Sequence, residues 1–99
     1  MFDRLRKAIT LIRKFNGIEK KQLAEALDVT PSYVTKIESG EKRPNIAFID
    51  KFAASMGIKP SLVYFFAERL KDDFRDNLMI FCRYSDLWKE MEETPVKRP

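Results

Sequence analysis

Side chains able to do covalent or metal chemistry are scarce in this chain. It has no histidine and one cysteine, Cys82, so an internal disulfide, a multi-cysteine metal site and the commonest general acid–base group are all missing. The sequence contains no Gly-rich phosphate loop and no nucleophile placed beside a base. An enzyme, a cofactor or a bound metal is therefore not expected, and Cys82 reads as a small apolar group. What the chain does carry is unevenly distributed charge. Of its net +4, residues 1–44 hold ten Lys/Arg against six Asp/Glu, while residues 45–99 hold nine of each. A basic excess confined to the first half favours a polyanionic partner there, because cations that neutralise phosphates release condensed counterions.

The elements that must position these charges follow from the apolar spacing. Ninety-nine residues, 44% of them hydrophobic, suffice for one domain with a modest core. No stretch approaches the ~20 apolar residues of a membrane span, and the amino terminus is charged from Asp3 onward, so a cytoplasmic protein without a membrane partner is expected. Apolar residues recur at helical spacing, which predicts an all-α fold. Leu5, Ile9, Ile12 and Phe15 share one face of a first helix from about Asp3 to Phe15, closed by Asn16-Gly17. A second runs from Lys20 to Leu27, with Leu23, Ala24 and Leu27 inward. Thr30 is a good N-cap and Pro31 suits the first helical position, so a third starts there and ends at Gly40, with Val34 and Ile37 as its apolar pair. Asn45 can cap a fourth helix, which Gly57 stops, and Pro60 opens a fifth carrying Leu62, Val63, Phe65 and Phe66. A longer helix is predicted from Asp72 to about Met91. The resulting division is a five-helix domain over residues 1–69, an additional C-terminal helix over 70–92 and a disordered tail over 93–99, where two prolines and mixed charge discourage packing.

Residues 22–40 carry the most specific signal. Two short helices joined by about three residues, with small Ala24 at their crossing and Val29, Val34 and Ile37 locking the pair, make a helix-turn-helix. From about Arg6 to Phe66 the sequence resembles the phage-repressor-like helix-turn-helix family of the lambda repressor and Cro type. The matching residues come in order: Ile9, Ile12 and Arg13; Gln22-Leu23-Ala24; Val29-Thr30; Ile37-Glu38-Ser39-Gly40; Lys42-Arg43-Pro44; and Ala53 with Met56-Gly57-Ile58. One departure is Glu19-Lys20, where the family commonly has Ser or Thr followed by Gln. Glu19 is a poor N-cap, although Lys20 can still meet a phosphate as a point charge.

The resemblance implies that the third helix lies in the major groove of double-stranded DNA, with Ser32, Tyr33, Thr35 and Lys36 toward the base edges. Lys36 could donate to the O6 and N7 acceptors of guanine. Lys20, Thr30, Lys42, Arg43 and Asn45 would contact phosphates and fix register. Arg13 and Glu38 would form a partly buried structural ion pair. The apolar stripe Phe74, Leu78, Phe81, Trp88 and Met91 exceeds what the five-helix core needs and is expected at a homodimer interface, the alternative being that it folds back onto that core. A homodimer would bind a palindromic operator, as a repressor of transcription. Two other readings stay open: an antitoxin-type regulator that also binds a partner protein, and a controller of a restriction–modification or plasmid system.

Overall fold

Local capping chemistry sets most of the element boundaries. The structure, a computed structural model, describes the backbone of residues 2–93 and the side chains of residues 3–86. Six helices follow one another: α1 (Phe2–Phe15), α2 (Lys20–Leu27), α3 (Pro31–Ser39), α4 (Ile46–Met56), α5 (Pro60–Glu68) and α6 (Phe74–Glu93), with no strand among the described residues. At the start of α3 the Tyr33 N–H donates to Thr30 Oγ1 at 3.1 Å, and at the start of α4 the Phe48 N–H donates to Asn45 Oδ1 at 2.8 Å. Each bond satisfies one of the orphan donors of a first helical turn. Helix α2 is capped differently: the Glu19 N–H donates to Gln22 Oε1 at 2.8 Å, so the third helical residue reaches back to do the work. That helix ends on Asp28 in the left-handed conformation (φ 57°), a region that Asp and Asn tolerate better than most residues.

Helices α1 to α5 bury one core. Leu5, Ala8, Ile9 and Ile12 of α1 meet Leu23, Ala24 and Leu27 of α2, Val34 and Ile37 of α3, Ile49, Phe52 and Ala53 of α4, and Leu62, Val63 and Phe66 of α5. Phe65 is half-exposed and lies edge-on to Tyr84 of α6, with the Arg69 guanidinium 3.5 Å above its ring.

Helix α6 starts at Phe74 rather than Asp72, because Asp73 Oδ1 accepts from the N–H groups of Arg75 and Asp76 at 2.8 and 3.2 Å. It packs on α1 and α5. Buried Asn77 fastens the connection, accepting from the Lys71 N–H at 2.7 Å and donating to the Lys71 carbonyl at 3.0 Å. Phe81, expected at a dimer surface, is instead 7% exposed, its ring 5.4 Å from Phe15 and 5.3 Å from Phe66. The correction has a simple cause. Phe15 and Phe66 leave an aromatic face at the α1–α5 seam, and Phe81 lies on the side of α6 that meets it. The first part of α6 thus completes the core of its own chain, as the fold-back alternative held. Phe74, on the same side toward the start of the helix, lies edge-on to Phe15 at 5.4 Å while still 52% exposed, and exposed Met79 and half-buried Leu78 are left on the other faces of α6. Trp88 and Met91 lie outside the residues described at side-chain level; of the tail expected over 93–99, Glu93 is the last residue of α6 and 94–99 lie outside the described residues.

Candidate nucleic-acid interface

Helix α3 is held from behind by charge as well as by apolar packing. Val34 and Ile37 are fully buried, and next to them Arg13 and Glu38, at 7% and 8% exposure, form a two-pronged ion pair. Arg13 Nε donates to Glu38 Oε2 at 2.7 Å and Nη2 to Oε1 at 3.1 Å, while Nη1 donates to the Ile18 carbonyl at 2.8 Å. With all three nitrogens engaged, the guanidinium ties α1, the α1–α2 turn and the last turn of α3 together. Arg6, which the sequence reading passed over, adds a bond to the Glu38 carbonyl at 3.2 Å. Gly40 then ends α3 with φ +89°, close against Arg6: a Cβ there would lie 3.0 Å from Nε.

The outward side of α3 is polar. Ser32 and Thr35 are exposed and Lys36 half-exposed, and with Ser39 they follow the i, i+3, i+4, i+7 spacing of a single helix face. Thr30 and Lys20 are exposed at the adjoining starts of α3 and α2. Tyr33 turns away from this face. Its ring is half-buried, 5.9 Å from that of Phe48, and Lys42 Nζ sits 5.6 Å from its centroid. That leaves the edge of the ring, more than its face, for an outside contact.

The loop after α3 is fixed to it. The Lys36 carbonyl accepts from the Lys42 N–H at 3.0 Å and from Ser39 Oγ at 3.2 Å, and Ser39 Oγ accepts from the Glu41 N–H at 3.3 Å. Lys42 and Arg43 are thereby carried, exposed, along one flank of α3. Asn45 is exposed too, but its carbonyl oxygen is committed to capping α4. On the opposite flank, the end of α1, the start of α2 and the middle of α3 enclose a shallow depression of about 320 Å³ lined by Thr10, Arg13, Lys14, Lys20, Thr35, Glu38 and Ser39. Lys14 and Thr10 here are additions the sequence reading lacked, since only the packing of α1 against α3 brings them beside the helix-turn-helix.

The assembled surface is a short helix with a polar, hydrogen-bonding outer face and cations on both sides. A helix of this kind, 10–12 Å across with its side chains, fits a major groove about 12 Å wide whose two walls are lined by phosphates.

Comparison with known proteins agrees with this geometry. Residues 9–63 match the family described as helix-turn-helix. No curated protein matches the chain. Among solved structures, the crystal structure of the clp gene regulator ClgR from Corynebacterium glutamicum has a similar fold, with a TM-score of 0.63 at 21% identity, covering 96% of this chain and 94% of that one. The likeness therefore extends past the helix-turn-helix to α6.

Proposed function

The chain belongs to the phage-repressor-like helix-turn-helix family and is a DNA-binding transcription regulator, and on that premise we propose that it is a repressor that grips a palindromic operator as a homodimer. In this reading α3 enters the major groove, Ser32, Thr35 and Lys36 meet base edges, and the rim of Tyr33 reaches a thymine methyl or a phosphate. Lys20, Thr30, Lys42, Arg43 and Asn45 hold the backbone on either side without reading sequence. The observation that carries the proposal is the two-sidedness of α3: Val34, Ile37 and Glu38 are buried against the scaffold, while Ser32, Thr35 and Lys36 face out between flanking cations. Dimerisation is assigned to α6, whose exposed Met79 and half-buried Leu78, with the part of Phe74 that Phe15 leaves uncovered, give a second copy an apolar surface.

Selection of bound duplexes from a random pool tests the proposal. It should enrich an inverted repeat whose half-sites lie about 34 Å, one helical turn, apart. Affinity for it should fall steeply with salt, since log K drops by about 0.9 per phosphate contact per log unit of salt. A pool from which no duplex is enriched would refute sequence-specific binding, and enrichment of an unrepeated site would refute the dimer.

A further inference from the structure

We propose that the depression between α1, α2 and α3 seats a backbone phosphate of the operator, and that Lys14 is a contact to it; the inference rests on the DNA-binding reading above. The charge in this depression comes from Lys14 and Lys20. Arg13 and Glu38, which also line it, are spent on each other, and the remaining Arg13 donor is spent on the Ile18 carbonyl. Two exposed ammonium groups therefore stand over a floor that contributes almost no net charge, with the hydroxyl of Thr10 beside them. That set of donors suits a phosphodiester, a singly charged group with two unesterified oxygens.

Position points the same way. Thr35 belongs both to the depression and to the outer face of α3, so whatever fills the depression lies directly beside the groove-entering side of that helix. Lys42 and Arg43 supply cations along the other flank. A helix in the major groove runs between two phosphate walls, and Lys20 alone would leave its wall more weakly held than the opposite one. Lys14 balances the clamp. The sequence hid this role because Lys14 lies on α1, six residues before Lys20 and outside the helix-turn-helix pattern.

The test compares Lys14→Gln, Lys14→Arg and Lys71→Gln with the parent protein on a selected duplex and on unrelated duplexes, across a salt series. Lys71 is an exposed cation in the α5–α6 connection, away from the depression, and its change to Gln alters net charge by the same amount. Lys14→Gln should weaken binding to every duplex by a similar factor, roughly fivefold at 0.15 M salt, and lower the salt slope by about 0.9. Lys14→Arg should retain the parent slope, and Lys71→Gln should alter neither quantity. Melting temperatures check that all three variants fold like the parent. If Lys14→Gln behaves like Lys71→Gln while the parent binds with a clear salt dependence, the assignment of Lys14 is wrong. If the parent shows no salt-dependent duplex binding, the DNA-binding reading fails and the inference falls with it.

Discussion

Removing one half of the Arg13–Glu38 pair should unfold much of the protein's margin of stability, and the structure allows the size to be worked out. Both side chains are more than nine-tenths buried and meet through two hydrogen bonds of 2.7 and 3.1 Å. Arg13→Met keeps an unbranched apolar stem but leaves the Glu38 carboxylate buried without its partner and the Ile18 carbonyl without its 2.8 Å donor. Stranding one partner of a buried pair costs about 3–5 kcal/mol, against a total stability of about 5–15 kcal/mol for a domain. At about 4–8 °C per kcal/mol for a chain of this size, the melting temperature should fall by roughly 12 °C or more. Glu38→Leu should lose a comparable amount, since it leaves a guanidinium in the same place. The double variant should be more stable than either single one, because it buries no unpaired charge. Urea denaturation followed by circular dichroism measures all four corners of the cycle. Single variants within about 1 kcal/mol of the parent, or a double variant whose loss equals the sum of the two, would refute the reasoning that the pair locks α3 to α1.

Three further outcomes follow from the packing. Phe81→Ala should cost about 3–5 kcal/mol of monomer stability, because its ring fills the space between Phe15 and Phe66; denaturation showing full stability with weakened self-association would return Phe81 to the dimer surface. Gly40→Ala should lose about 1–2 kcal/mol in the same assay, since φ is +89° and the added methyl would press on Arg6. Met79, at 68% exposure, can be replaced without touching the core, so Met79→Glu should shift light scattering at tens of micromolar from dimer toward monomer with the melting temperature of the monomer fold unaltered. A parent protein that is already monomeric there would remove α6 as the interface.

How much of this was legible in the sequence depended on how local the governing physics is. Thr30-Pro31, Gly40, Asn45, Gly57 and Pro60 mark helix ends within one residue, because caps and left-handed turns involve groups three or four positions apart. The ends of α2 were harder to read, because less usual residues do the work there: Gln22 reaches back to the Glu19 N–H, and Asp28 turns left-handed where glycine is the usual choice. Arg13 and Glu38 were legible only through the resemblance, for nothing in their spacing of 25 residues implies a contact. Lys14, Thr10 and Arg6 were not legible at all, since their neighbours on α3 are set by how α1 crosses it. The stripe on α6 was readable as apolar but not as inward or outward. That choice turned on Phe15 and Phe66 leaving room for Phe81, and on Asn77 fixing the approach of the helix through Lys71.

The central claim is that α3 reads bases while its flanks only hold the backbone, and one pair of variants separates the two roles most directly. Binding of Lys36→Ala and Arg43→Ala should be measured against a set of duplexes carrying every single-base change in the selected half-site. Lys36→Ala should erase discrimination at one position, by about 1–3 kcal/mol, and leave the others intact, whereas Arg43→Ala should lower affinity for all duplexes nearly equally. A Lys36→Ala protein whose preferences match the parent's at every position would contradict the account.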